Sequence, residues 1–191
     1  MLSELIKNKN LFSHLYEIDK YTAEQYRRLP CPHCGGPMYF SNYMRKPRGE
    51  PEGVPEKYFV QFSLCCGTEG CRKRLIPPSC RFLGRKIYWF AVILCVLTDF
   101  QNNNEKITVF DWSIKTGICR HTIKRWLAFF QDTFPATRTW RRLRGQILAC
   151  VRNTSLPSSF INYCRTLKAT AEEALVSSLT VLSGGSKIRA G

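Results

Sequence analysis

Residues 107 to 130 read ITVFDWSIKTGICRHTIKRWLAFF, and this stretch decides the fold. It has the form of a helix-turn-helix. Gly117 marks the turn, with a first helix ending near Lys115 and a second starting about Arg120. Ser113 lies four residues before the glycine, where the helices would cross and a small side chain is needed. Ile118, Ile123 and Trp126 fall at the inward positions of the second helix. Arg120, His121, Lys124 and Arg125 are left on its outer face. Basic residues on such a helix suit a DNA major groove. The same pattern also fits an ordinary helical hairpin with a solvated basic face.

Working upstream, Ser79 is placed to cap a helix carrying Phe82, Leu83, Ile87, Phe90, Ala91, Leu94 and Leu97, whose wide apolar face would be a core. The polar break 99–105, DFQNNNE, separates it from the helix-turn-helix. The three helices together can bury the inner face of a recognition helix. The run 87–97, IYWFAVILCVL, is too short for a bilayer span, which needs about 20 apolar residues. Downstream, residues 133–152 are basic, with Arg138, Arg141, Arg142 and Arg144 around Trp140, an arrangement suited to phosphate contact or to stacking on an unpaired base. Residues 156–168 read as a helix with Pro157 in its first turn. Thr170 and Glu173 form a capping box for a last helix with Leu175, Leu179 and Leu182 on one face. Gly184 and Gly185 stop it, ahead of a frayed tail.

The front of the chain is organised by cysteines. Cys31-Pro32-His33-Cys34-Gly35-Gly36 has the form of a zinc knuckle, in which two thiolates chelate one ion from a tight turn. His33 inside it is a solvated turn residue. Residues 38–43 read as a strand, 46–56 as an exposed loop, and 58–64 as a second strand. The second knuckle is Cys65-Cys66-Gly67-Thr68-Glu69-Gly70-Cys71. Cys71 is one ligand; its partner is Cys66, with Cys65 as the alternative. Two cysteine pairs bracketing a hairpin make a zinc-ribbon layout holding one structural Zn2+. Arg72, Lys73 and Arg74 follow directly and are candidate phosphate contacts. Cys80 has no paired neighbour and reads as a packing residue.

The chain has 191 residues, 29 Lys and Arg against 14 Asp and Glu, and a net charge of +15. Such an excess implies an anionic partner, nucleic acid first. The first 20 residues mix both charge signs without an unbroken apolar stretch, so they are not a secretory signal. The expected location is cytoplasmic, with no membrane partner, where ten reduced cysteines serve metal ligation and packing.

Ribbon, core helix and helix-turn-helix in this order resemble the DNA-binding front end of insertion-sequence transposases that begin with a zinc ribbon. The resemblance rests on Cys31, Pro32, His33 and Cys34, on Cys66 and Cys71 with Arg72-Lys73-Arg74, and on residues 117–126, GICRHTIKRW; it covers about residues 30 to 130. It implies structural zinc at the four cysteines and binding of element-end DNA through Arg120, His121, Lys124 and Arg125. Cys119 stands where a capping serine is usual.

The nuclease domain that follows in such transposases has no counterpart. After the helix-turn-helix only Asp132, Glu172 and Glu173 offer carboxylates. No His-x-His pair, phosphate-binding glycine loop or nucleophile triad stands out.

The expected fold is α+β, mainly α: an N-terminal arm (1–29), a zinc ribbon (30–78), a helical domain with the helix-turn-helix (79–132) and a basic segment with C-terminal helices (133–191). The arm, with Leu2, Ile6, Leu11, Leu15 and Ile18 in a helical pattern broken by Asn8 and Asn10, is expected to pack on the rest of the chain or on a partner. The expected function is that of a non-catalytic protein binding double-stranded DNA in a mobile element, a transposition accessory or regulator acting with a transposase or recombinase. One alternative is a nuclease or recombinase subunit using Asp99, Asp111 and Asp132 in a site completed by a partner. Another is an RNA-binding module stacking bases on Tyr39, Phe40, Tyr58, Phe59 and Phe62.

Overall fold

A computed structural model describes residues 5–49, 53–83, 88–102, 108–147 and 151–184. The chain is mainly helical with small antiparallel sheets, as the α+β, mainly α expectation has it. Several sequence assignments lie outside the described residues: Leu2 of the arm, residues 50–52 of the charged loop, Ile87, residues 103–105 of the polar break, Gly185 and the tail.

Helix α1 is Lys9–Arg27. Asn8, which interrupts the apolar pattern, starts the helix: its side chain accepts the N–H of Asn10. Leu11, Phe12 and Leu15 are buried in the main core, so this segment packs on the rest of the chain. Its start is tied to the far end of the sequence by a bond from Asn8 Nδ2 to Glu172 at 2.8 Å.

Strands β1 (Met38–Phe40), β4 (Leu64–Cys66) and β5 (Arg74–Leu75) form one antiparallel sheet in the order β1-β4-β5. Strands β2 (Tyr43–Met44) and β3 (Val60–Gln61) pair separately. The expected strand over 58–64 is interrupted. Glu56–Phe59 is a single 3-10 turn, and the chain becomes extended only at β3 and again at β4. The cause is Arg81. Its side chain is fully buried, pairs with Asp19 at 2.7 Å, and donates to the carbonyls of Tyr58 (2.6 Å) and Val60 (2.8 Å). The rings of Tyr16, Phe62 and Phe82 surround it at 5.0, 5.2 and 4.7 Å. Tyr58 and Phe59 thus turn into the core instead of alternating along a strand.

The same network corrects the helix expected from Ser79. The Ser79 hydroxyl donates to Asp19 and accepts the N–H groups of Arg81 and Phe82, as a helix cap would. The chain instead extends into β6 (Phe82–Leu83), which pairs with β7 (Tyr88–Trp89). Helix α2, Phe90–Asn102, begins only there. Every residue from Phe90 to Thr98 is buried, so α2 is the central core helix rather than an amphipathic one.

Helices α3 (Val109–Thr116) and α4 (Arg120–Ala128) are joined by a turn at Gly117, whose φ of 65° is a left-handed value that favours glycine. Helix α4 packs on both α3 and α2. A π-turn (Phe129–Thr133) and a 3-10 turn (Phe134–Ala136) lead into α5 (Arg138–Arg144). Helices α6 (Ser158–Leu167) and α7 (Ala171–Leu182) pack on each other and on α2, and Leu175, Leu179 and Leu182 are buried as expected. One main core draws on residues from Ile6 to Leu182. A second, small cluster holds Cys31, Met38, Leu64 and Cys66. Among the described residues no helix is long and apolar enough to cross a membrane.

Candidate functional site

The small cluster is a candidate metal centre. Cys31 and Cys34 sit on a tight turn closed by two backbone bonds, Gly35 N–H to Cys31 O and Cys31 N–H to Gly36 O, both 2.8 Å. Gly35 takes a left-handed φ of 75° there. The second pair is set by the pleat of β4. Cys66 pairs with Met38 and faces inward, whereas Cys65 pairs with Tyr39 and faces the other side. The Cys65 thiol donates to the carbonyls of Cys66 and Arg72. The group that gathers is therefore Cys31, Cys34, Cys66 and Cys71, with all four sulfurs within 4.8 Å of one another.

The contacts inside the group are 3.9 Å for Cys31 to Cys71 and 3.4 Å for Cys34 to Cys66. A tetrahedral ion with metal–sulfur bonds of about 2.3 Å sets its sulfurs roughly 3.8 Å apart, so the thiols stand at the edges of such a tetrahedron. The backbone N–H of Thr68 donates to the Cys66 sulfur at 3.4 Å. The Cys34 thiol is brought down to about 6, first by the Gly36 backbone N–H, then by the Cys66 and Cys71 thiols and the Thr68 hydroxyl. Cys71 is pushed up to about 12: the Lys73 N–H favours its thiolate, but the Cys34 thiol, burial and the thiols of Cys66 and Cys31 outweigh it. Four thiolates would need a cation between them, and the arrangement is compatible with one metal ion. Gly36 leaves room for Thr68: a Cβ there would stand 1.9 Å from the Thr68 hydroxyl, which would have to turn away.

The second feature is the outer face of α4. Ile118 and Ile123 are buried at 2 % exposure each, and Trp126 is half-buried against Tyr88 and Phe129. Arg120, His121, Lys124 and Arg125 are all exposed. The Arg120 guanidinium lies 5.5 Å from the Phe110 ring, and Arg125 donates to the Thr122 hydroxyl at 3.1 Å. Cys119 gives no side-chain cap, yet α4 starts at Arg120: the Cys119 carbonyl takes the N–H of Thr122 at 2.8 Å and that of Ile123 at 3.2 Å. Beneath the turn, Gly49 leaves room for Ile118, since a Cβ at Gly49 would stand 2.5 Å from Ile118 Cδ1.

The remaining sequence candidates divide. Arg72, Lys73, Arg74, Arg138 and Arg142 are exposed. Arg141 is exposed but holds the Ala136 carbonyl at 3.0 and 2.8 Å. Arg144 is half-buried and bonds to the Val151 carbonyl, a structural task. Trp140 is 1 % exposed and donates to Asn153 at 2.9 Å, so it cannot stack on a base. Tyr58, Phe59 and Phe62 are likewise buried, whereas Tyr39 and Phe40 are exposed. Asp111 closes a capping box with Thr108. Among the described residues, the cysteine group is the only cluster of three or more His, Cys, Asp or Glu positioned for a metal, so Asp99, Asp111 and Asp132 do not converge.

Sequence reasoning missed Thr68, whose N–H meets a ligand sulfur, and Tyr43, which lies between Arg45 (5.0 Å) and Arg74 (5.4 Å). For Tyr43 the alternation of an aromatic with Arg45 two residues on was the available signal. No family model, curated protein or solved structure matches the chain.

Proposed function

We propose that this is a non-catalytic protein that binds double-stranded DNA, with α4 as the recognition helix of a helix-turn-helix and the cysteine group as a zinc ribbon beside it. The observation that carries the reading is the division of α4: Thr122 and Ile123 buried on one side, with Ile118 buried in the turn before it, and four exposed basic or imidazole side chains on the other. Helix α2 backs the pair, which is the minimal support a recognition helix needs. A net charge of +15 supplies phosphate affinity, and Arg120, His121, Lys124 and Arg125 supply base preference. Four sulfurs at tetrahedral spacing favour zinc, whose role here is structural because no ligand position is left open. The order of elements resembles transposase front ends, so the proposed target is the end of a mobile element and the role is accessory or regulatory.

Gel-shift titration of the full chain with duplex DNA over a salt series tests this. Affinity should fall steeply with salt, and Lys124→Ala should weaken binding and reduce the magnitude of the log–log salt slope by about 1. Salt-independent binding, or none at low salt, refutes the reading.

A further inference from the structure

The outer face of the small sheet carries a second set of groups that the α4 reading does not use. Register places Tyr39, Cys65 and Arg74 in one row across β1, β4 and β5. Neighbours across a row share a face, and this face is opposite Cys66 and Met38. Tyr39 is 58 % exposed, and its ring rests against Gly67, where a Cβ would come within 2.3 Å of it. Gly67 therefore meets the ring at its Cδ2–Cε2 edge, and more than half of the side chain stays open to solvent.

Arg74 reaches from the row to Tyr43, with its guanidinium 5.4 Å from the ring centroid and a 3.2 Å bond to the Ser41 hydroxyl. Arg45 covers the same ring at 5.0 Å. Arg72 and Lys73 are exposed on the turn that enters β5. Among the described residues, none of Arg45, Arg72, Lys73 and Arg74 is in an ion pair, while Lys20 and Arg27 on α1 and Arg28 at its end all are.

We infer that this face binds an unpaired DNA strand, with a base stacking on Tyr39 and phosphates tracking Arg45, Arg72, Lys73 and Arg74, of which Arg45 and Arg74 are held on the Tyr43 ring. A duplex hides its base faces and offers nothing to an open tyrosine ring; a single strand offers both a π-face and a charge at each step. An acidic protein segment would use the cations but has no use for the exposed Tyr39 ring. The choice of DNA over RNA rests on the duplex-DNA reading of α4; the base-stacking site itself does not. A protein with both surfaces would grip a duplex next to a frayed or opened end.

The test is fluorescence polarisation of the zinc-loaded full chain with labelled oligo(dT), oligo(rU) and a duplex. Far-UV circular dichroism and zinc content would check each variant. Tyr39→Ala should weaken oligo(dT) binding about tenfold, the loss expected from removing one stacking partner; Tyr43→Ala, which frees Arg45 and Arg74, should also weaken it, and both should leave duplex affinity within about twofold. Tyr39→Phe and Tyr43→Phe keep the ring and should bind as wild type. Lys124→Ala on α4 should do the reverse, weakening duplex and sparing oligo(dT). Wild type that ignores oligo(dT), a Tyr39→Ala/Tyr43→Ala chain that binds it as well as wild type, tighter binding to oligo(rU), or full displacement by a poly-glutamate peptide overturns the inference. Failure of duplex binding with oligo(dT) binding intact would refute the α4 reading alone.

Discussion

Arg81 is a charge with no exposed surface, and what happens there depends on how its donors are answered. Asp19 takes Nε, two backbone carbonyls take the terminal nitrogens, and three rings cover the guanidinium. Asp19 also accepts from the Ser79 hydroxyl and from the Cys80 N–H at 2.7 Å. Burial and the nearby Asp19 charge together push the Cys80 thiol well up, so this cysteine stays a neutral packing group. Removing one partner of a buried pair leaves the other charge uncompensated. Arg81→Met should therefore cost about 3–5 kcal/mol in urea unfolding at neutral pH. A loss below about 1 kcal/mol would mean that the pair is not holding α1 against the sheet. Nothing in the sequence marks this pair, because its members are 62 residues apart and neither sits in a motif. The cysteine group was legible for the opposite reason: Cys31 and Cys34 are separated by two residues and followed by glycine, a spacing with local meaning. The choice between Cys65 and Cys66 was open in the sequence and is decided by strand register, which is a long-range property.

At the level of elements, α3 and α4 were legible nearly to the residue. The signals that define them are local: a left-handed glycine at the turn, a buried isoleucine just after it and another inside the second helix, and basic residues between them. The start of α2 was not, because Ser79 makes the bonds of a cap while Asp19 and Arg81 hold the chain in an extended path. Helix α3 carries its own start signal. Thr108 accepts the Asp111 N–H at 3.2 Å, and the Asp111 carboxylate takes both the N–H and the hydroxyl of Thr108 at 2.7 Å. Thr108→Ala should cost about 1 kcal/mol. The bonds from the Thr108 hydroxyl, then from its N–H, hold the Asp111 carboxyl below the usual carboxylate range. A depressed folded value means that the contribution is complete above the unfolded value of about 3.9 and is lost as pH falls through the lower folded one. The stability gap between wild type and Asp111→Asn should thus be constant above about pH 5 and shrink below it. A gap that widens on acidification would contradict the capping role.

For the whole molecule, the question is how two cores of unequal size respond to loss of the ion. The main core joins α1, α2, the α3–α4 pair and α6–α7, and a run of touching rings from Trp126 through Phe129, Phe130, Phe134 and Trp140 to Phe160 crosses it. The small cluster has four buried residues, two of them ligands. So little apolar burial is a weak hold on strands of two or three residues, and ligand–metal bonds are the proposed source of the rest. The two cores meet at β3 and the turn before it, where Tyr58 and Phe59 enter the main cluster and Arg81 fixes the carbonyls. Strong chelation should therefore release residues 31–40 and 64–75 while α2 and α7 remain folded. Hydrogen exchange should show amides of the first two segments becoming fast and those of Phe90–Thr98 staying protected, with most of the helical circular dichroism retained. On the proposed roles of α4 and the small sheet, duplex affinity should survive this treatment better than oligo(dT) affinity, because Tyr39 is placed only while β1 pairs with β4, and Arg74 stays beside Tyr43 only while β5 is in place. Simultaneous loss of helix and sheet on chelation would show that the ion supports the whole chain, and with it that the small cluster is not an independent unit.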